Sequence, residues 1–379
     1  MLRVDLAVVG GGPAGSIVAR EAARGGLKVV LLERAPKAPL RCTGIISTKA
    51  GEELGIPGGL VLERLVGVVV HGPRGARAVL TGDSPKALVL DRVGLDKYLR
   101  NEAREAGATV WEGVSAKGWD HSVLFTSEEK LAAELLVGAD GALSGVARWA
   151  GLPPPQELLA GYQAEVEAEP RYPGHAEIFL DPGIAPGFFA WAVPAGKLLR
   201  VGLVTHRGGE GYGHLKSLLL REFPESRVVR ISGGLIPLGP PPSTATERVF
   251  LVGDAAAQTK PLTGGGLYYG GLAAMLLGRL ISEGRQAEYE KAWREKLGRE
   301  IEFALRARRA YLDLSPGELD YLVSLLSDPE LGKFLLTRGD MDRPSRILGE
   351  LRRAPHLWPL GLKVLKTLGG FSRFAQFLQ

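Results

Sequence analysis

A chain of 379 residues, 45% hydrophobic and 23% charged, has the balance of a globular protein large enough to bury a sizeable core and to divide into two or three lobes. The net charge of +5 and a pI near 9.2 are mild, so nucleic-acid binding would need a local patch with aromatic interleaving; none convincing is found, and no nucleic-acid partner is expected. The single cysteine, Cys42, excludes an internal disulfide and a redox-active cysteine pair, and the six scattered histidines have no metal-ligand spacing, so no metal site is expected.

Leu6-Ala7-Val8-Val9 is a short, β-branched apolar run. Gly10-Gly11-Gly12-Pro13-Ala14-Gly15 follows at once, and then a helical pattern through Arg24. This order predicts a Rossmann-like βαβ unit in which Gly10 makes the tight turn and Gly12 admits a pyrophosphate. Gly15 lets the helix pack close, so that its N-terminal N–H groups face the phosphates. A second apolar strand ends in Glu33, 18 residues after Gly15, where a carboxylate suits an adenosine ribose and repels a 2′-phosphate. The unit alone predicts an ADP moiety and does not distinguish FAD from NAD.

Beyond Arg34 a proline-rich loop leads to Arg41-Cys42-Thr43-Gly44; Cys42 reads either as a small core residue or as part of a functional loop. A hairpin is expected near residues 66–80. Asp91-Arg92 precedes a helix with Leu95, Leu99 and Ala103 on one face, and Arg92 could reach a cofactor phosphate or pair with Asp91 or Glu102. An extended piece surrounds Val114. Gly138-Ala139-Asp140-Gly141 ends another buried strand, and its acid reads equally as a turn former and as a ligand group.

From residue 162 to 203 the pattern changes to alternating strands separated by turn residues, which predicts an antiparallel sheet. Phe189 and Trp191 share one face of it, as core or as the wall of an apolar substrate chamber. Arg248-Val249-Phe250-Leu251-Val252-Gly253-Asp254 repeats the buried-strand pattern, and Pro261 with Gly264-Gly265-Gly266 opens a helix at Leu267. An acid that can bind ribityl hydroxyls, followed by glycines and a helix N-terminus for a ring oxygen, suits FAD and not NAD.

The expected domains are an FAD-binding domain of residues 1–157 and 243–285 that includes the hairpin, an antiparallel-sheet substrate domain of 158–242, and a helical C-terminal region of 286–379. Residues 343–379 carry seven Lys or Arg against one acid, interspersed with Trp and Phe. Such a segment is either a docked helix with a solvated basic face or a peripheral contact with an anionic membrane. No charged leader precedes the first strand, and the apolar region 267–281 is interrupted by Arg279. A cytoplasmic protein, peripheral on the membrane if the tail binds one, is the expectation.

In this order the motifs resemble para-hydroxybenzoate-hydroxylase-fold flavoproteins, and within them the geranylgeranyl reductase family. The specific signs are the cysteine loop and Phe189-Ala190-Trp191-Ala192-Val193-Pro194, similar to that family's aromatic-x-Trp-x-Phe-Pro motif. The resemblance implies an α/β fold overall, with an inserted antiparallel-sheet domain and a helical tail. It implies FAD held by Gly10, Gly12, Pro13, Ala14, Gly15, Glu33, Arg34, Arg92, Val114, Gly253, Asp254, Pro261, Gly264, Gly265, Gly266 and Leu267, with Arg41, Cys42 and Gly44 bordering the flavin. Phe189, Trp191 and Pro194 would line a prenyl chamber. Phe189, Val193 and Ala257-Gln258 depart from the family pattern.

The activity so implied is reduction of carbon–carbon double bonds in an isoprenoid lipid by hydride from reduced flavin N5, with Cys42 or an ordered water as proton source. The electron donor, among NADPH, NADH, ferredoxin and quinol, stays open. The alternatives are an FAD monooxygenase or halogenase of the same fold, and a membrane-surface flavoprotein passing electrons to quinone.

Overall fold

The computed structural model describes residues 1–37, 42–206, 210–359, 361 and 363. Arg41 lies outside the described residues, as does most of the basic tail beyond residue 363. The chain divides into two compact units: Met1–Leu40, Arg92–Leu158 and Ile236–Ile301 form the first, and Arg41–Asp91, Leu159–Leu235 and Glu302–Gln379 the second.

Strands that read as unbroken apolar runs become a parallel sheet covered on both faces. In the first unit, Thr109–Glu112, Val29–Glu33, Leu2–Val9, Leu131–Gly138 and Val249–Leu251 lie side by side, all parallel. Leu6, Ala7, Val8, Val30 and Leu31 are almost fully buried; each fully buried Val or Leu contributes about 1.5–3 kcal/mol. The start of Leu131–Gly138 also pairs with the antiparallel hairpin Val123–Thr126 and Ala116–Asp120. The helix Pro13–Arg24 packs against Leu267–Ser282 and against Arg92–Glu105, burying Leu95, Leu99 and Ala103 as the spacing predicts.

The second unit is built on a seven-stranded sheet in the order Arg227–Leu238, Glu157–Glu167, Leu198–His206, Ala190–Ala195, His175–Phe179, Gly67–His71, Arg77–Thr81. The four strands expected between residues 162 and 203 are present, and their mutual pairings are antiparallel. Alternation gives the sheet two different faces. One carries Ala164, Val166, Ala190, Ala192, Leu199, Val201 and Leu203 and packs with Leu215 and Leu218 of the helix Gly211–Glu222. The other carries Gln163, Glu165, Arg200, Gly202, Trp191 and Val193. There Val193 and Ala195 meet Leu65, Ala87 and Val89 of a small sheet formed by Ile45–Ser47, Ala87–Leu90 and Val61–Leu65.

The hairpin near residues 66–80 is present, but it joins the second unit and not the nucleotide-binding lobe where the sequence places it. Gly67–His71 pairs in parallel with His175–Phe179, more than 100 residues downstream, and local pattern cannot name so distant a partner strand. The tail is helical from Arg299–Leu312 through Pro316–Leu326, Pro329–Arg338 and Arg346–Arg352. Ser315 and Glu318 form a capping box at the start of its second helix, satisfying two donors that the first turn leaves open. From Glu302 onward it groups with the second unit. Among the described residues no helix is long and apolar enough to cross a membrane.

Candidate cofactor and substrate sites

In the first unit the glycine turn is fixed by sterics. Gly10 has φ +106°, and a Cβ there would lie 2.3 Å from the Ala139 carbonyl oxygen; a Cβ on Gly15 would lie 1.9 Å from the Gly10 oxygen. Gly12 differs, because a Cβ there would meet nothing within 4 Å. The space before Gly12, the N-cap of the helix Pro13–Arg24 with no side-chain cap, is therefore open, and the helix dipole and free N–H groups favour an anion in it.

The Glu33 carboxylate accepts from the Gly11 N–H at 2.9 Å and the Ala35 N–H at 2.7 Å. That leaves lone pairs on both oxygens for hydroxyl donors. Beside it the Gly113 N–H donates to the Glu33 carbonyl at 2.7 Å, which places Val114 next to the acid; Arg34 is exposed. Arg100, which sequence reasoning missed, is 5% exposed. It donates to the Gly11 carbonyl at 3.1 Å and to Glu112 at 3.0 Å, bracing the turn from behind. Its one sequence signal is a position directly after Leu99 on the buried helix face.

The Gly253-Asp254 turn lies against the same helix start, since a Cβ on Gly253, whose φ is +66°, would come 2.9 Å from the Ala14 Cβ. Gln258, fully buried, holds it. Its Oε1 accepts from the Gly253 N–H at 2.8 Å, and its Nε2 donates to the Tyr289 hydroxyl, which in turn donates to the Leu251 carbonyl, both at 2.9 Å. Burial pushes the Tyr289 hydroxyl pKa well above its usual value, with Gln258 opposing. Ala257 adopts the left-handed conformation with φ 51° and ψ 36°.

Asp254 is solvent-accessible, and a Cβ on Gly266, the N-cap of Leu267–Ser282, would lie 2.7 Å from its Oδ1. Desolvation by the surrounding protein raises its carboxyl from 3.8 to about 6, and the Arg92 charge offsets this in part. A carboxyl that protein desolvates and solvent still reaches lines a hollow. Arg92 is the first residue of its helix, and it forms an ion pair with Asp96, one turn on, at 2.6 Å. Gly264 and Lys260 close the glycine loop by backbone bonds, with Pro261 buried and Gly265 half-buried. Asp140 is a cap: it accepts from Ser144 Oγ and from the Gly145 and Val146 N–H groups.

In the second unit, the Cys42–Gly44 loop covers the polar face of the large sheet. Cys42 is exposed, and its Sγ accepts from the Gly44 N–H at 3.3 Å. Thr43 Oγ1 donates to Gln163 Oε1 at 2.8 Å, and the Thr43 carbonyl accepts from Arg200 at 2.7 Å. Arg200, 4% exposed, also donates to the Leu90 carbonyl and to Glu165, whose other oxygen Arg230 binds at 2.7 Å. Burial draws the Arg200 guanidinium below its usual pKa, against the pull of Glu165 and of nearby Cys42 and Asp91. The sequence signal for Arg200 is a lone charge inside an apolar strand.

Phe189 and Trp191 meet edge to face with centroids 6.2 Å apart, and the indole lies over Gly202, where a Cβ would come within 2.5 Å of it. Pro194 pairs with Leu199 on the opposite face, so it does not share the wall that Phe189 and Trp191 form. A cleft of about 660 Å³ elsewhere on this unit is lined by His71, Arg77, Asp181, Arg221 and Glu222. Arg221 is ion-paired within it to Asp181 and Glu222, and its charged walls offer a prenyl chain little apolar surface. Among the described residues no cluster of acids, His and Cys could hold a metal.

Comparison with known proteins decides the family. Digeranylgeranylglycerophospholipid reductase 2 of Methanothermobacter thermautotrophicus is 33% identical over 92% of this chain and 100% of its own length. The reductase of Methanothrix thermoacetophila is 31% identical over 88% of this chain and 93% of its own length. The chain belongs to the digeranylgeranylglycerophospholipid reductase family. It is an FAD-dependent oxidoreductase of the geranylgeranyl reductase type that its motifs resemble. A geranylgeranyl bacteriochlorophyll reductase-like protein from Thermoplasma acidophilum superposes with a TM-score of 0.85 at 25% identity, covering 97% of this chain and 100% of that one. A flavin-dependent brominase shares the fold at 14% identity, with a TM-score of 0.71 over 93% of this chain and 99% of its own. The lycopene cyclase protein family model matches residues 5–183.

Proposed function

We propose that this protein reduces isolated carbon–carbon double bonds in the isoprenoid chains of a lipid; relatives that match it along most of their length are named digeranylgeranylglycerophospholipid reductases. The observation that carries the reading is the full-length match to those reductases. Its substrate would be an isoprenoid chain, its cofactor FAD, and its donor a transient one drawn from NADPH, NADH, ferredoxin or quinol.

The residues of the first unit fit FAD. The open space before Gly12 and the bare N-terminus of Pro13–Arg24 suit a pyrophosphate, with Gly10, Ala14 and Gly15 shaping the turn. Glu33, Arg34 and the Val114 backbone would hold the adenosine, and Arg92 the phosphate-ribityl region. Asp254, accessible and only partly stabilised as an anion, would accept from ribityl hydroxyls, and the loop of Pro261, Gly264, Gly265, Gly266 and Leu267 would take the ring end.

Bound in its reduced form, FAD supplies hydride to one alkene carbon, while an unactivated alkene also needs a proton on the other and a site from which bulk water is excluded. In the second unit, Phe189 and Trp191 offer an apolar wall, and the Cys42–Gly44 loop beside them is our candidate for the proton-supplying side.

Anaerobic incubation of the reduced protein with geranylgeranyl lipids tests this. Products heavier by two hydrogens per bond reduced are expected, together with stoichiometric FAD in the purified protein. A product that gains oxygen or halogen would establish the monooxygenase or halogenase alternative. A colourless protein that takes up no FAD would falsify the cofactor assignment.

A further inference from the structure

Both peptides that flank Gly11 are anchored by side chains of the first unit. Gly11 itself is buried. Its N–H, in the peptide shared with Gly10, donates to Glu33 at 2.9 Å. Its carbonyl, in the peptide shared with Gly12, accepts twice, from Arg100 at 3.1 Å and from the Ser16 hydroxyl at 3.2 Å. Ser16 is fully buried and Arg100 nearly so. The packing around this glycine is tight, since a Cβ there would lie 2.7 Å from the Glu33 Cβ and 3.1 Å from the Arg100 Cδ.

A trans peptide carries its C=O and N–H in opposite directions, and no peptide of the chain is cis. With the Gly11 carbonyl turned to Arg100 and Ser16, the Gly12 N–H therefore points away from both. Gly12 is half-buried, and among the described residues its N–H meets no acceptor. It stands at the uncapped start of Pro13–Arg24, where Pro13 has no N–H to offer. A peptide between two glycines turns over easily, because neither residue restricts its own backbone. A cation on the carbonyl opposes that turn more strongly than a neutral hydroxyl alone. It also polarises the peptide, which makes the N–H at the opposite end a better donor.

We propose that Arg100 is a positioning residue for the cofactor: by holding the Gly11 carbonyl it aims the Gly12 N–H at the pyrophosphate. The identity of that ligand rests on the FAD reading proposed above. Arg100 acts through the peptide, from the far side of the turn, where Glu112 at 3.0 Å and the Pro36 carbonyl at 3.5 Å also hold it. Its removal leaves partners in place, because Glu112 keeps Arg104 at 3.1 Å and the Gly11 carbonyl keeps Ser16. The fold should therefore survive Arg100→Met, while the direction of the Gly12 N–H is no longer fixed.

Calorimetric titration of the cofactor-free, full-length protein with ADP and with adenosine tests this. ADP carries the pyrophosphate; adenosine carries only the base and sugar, which fall to Glu33. Arg100→Met should bind ADP about 5-fold to 10-fold more weakly than wild type, the worth of one well-aimed hydrogen bond. FAD should weaken by a similar factor, and adenosine should bind as it does to wild type. If Arg100→Met does not fold, Arg100→Gln, neutral and still polar, carries the same expectation. Equal weakening of ADP and adenosine would make Arg100 a general brace of the lobe and overturn the proposal. Wild-type ADP affinity in a folded variant would overturn it too, and a wild-type protein that still takes up FAD would leave the cofactor reading standing. A wild-type protein that binds neither FAD nor ADP would sink that reading and the role of Arg100 together.

Discussion

The Gly253 turn depends on the buried side chain of Gln258. Gln258→Leu would leave the Gly253 N–H buried with no acceptor, at a cost of about 1–3 kcal/mol. The Tyr289 hydroxyl would lose the Nε2 donor but keep its own bond to the Leu251 carbonyl, so its added cost is about 0.5–1 kcal/mol. The sum is about 1.5–4 kcal/mol. Tyr289→Phe would strand Gln258 Nε2 and the Leu251 carbonyl instead, so the two substitutions should couple by about 1 kcal/mol in a double-mutant cycle. Urea unfolding of the cofactor-free protein at neutral pH measures all of this. FAD titration should show weaker binding by the Gln258 variant, because Asp254 is carried on the same turn. A loss under 0.5 kcal/mol for Gln258→Leu, with additive double-mutant energies, would refute the view that this chain of bonds supports the turn.

Ala257→Gly should stabilise the protein by about 0.5–1 kcal/mol in the same assay, since the left-handed conformation costs a Cβ-bearing residue about 1–2 kcal/mol and glycine returns part of that as unfolded-state entropy. Asp254 should make the cofactor-free protein lose stability as pH rises: its folded pKa is raised from 3.8 to about 6, so its contribution is complete below pH 4 and gone above 6. Thermal melts should therefore place Asp254→Asn above wild type at pH 7 and close to it at pH 4. If hydroxyls of FAD bind the carboxylate, calorimetry near pH 6 in buffers of different ionisation enthalpy should detect proton release on binding, and a buffer-independent heat would count against that contact. Arg200→Met should cost about 3 kcal/mol through two lost bonds to backbone carbonyls and a charge imbalance at the buried Glu165, moderated because Arg230 still binds that carboxylate. A midpoint in urea equal to wild type would show that the loop is held by something else.

What could be read from the chain before its structure depended on how local the information was. Strand, glycine turn, helix, strand and acid lie within 33 residues, and the periodicity of Arg92–Glu105 is set by its own side chains. The partner of Gly67–His71 was illegible because sheet pairing is chosen by tertiary packing. The helix Gly211–Glu222 was hidden by two glycines in its first turn, which weaken the local helical preference without deciding it. Arg100, Arg200 and Gln163 escaped for one reason. A polar residue in an apolar run looks like a surface position until the fold buries it and supplies its partners. Asp140 illustrates the reverse, because an acid at a strand end has two uses and only the neighbouring N–H groups reveal which one applies.

The first unit is assembled from three separated stretches of chain, and this bears on how the protein emerges from a ribosome. The strand Leu131–Gly138 must find Leu2–Val9 on one side and Val249–Leu251 on the other. During synthesis its second edge stays bare until more than 110 further residues have been made, most of them belonging to the other unit. Asp254 and the Gly264–Gly266 loop arrive with that last piece. If the proposed cradle holds FAD, a chain arrested before residue 254 can form the turn at Gly10 but lacks the second half of the site, so FAD could stabilise only a chain made past the Gly264–Gly266 loop.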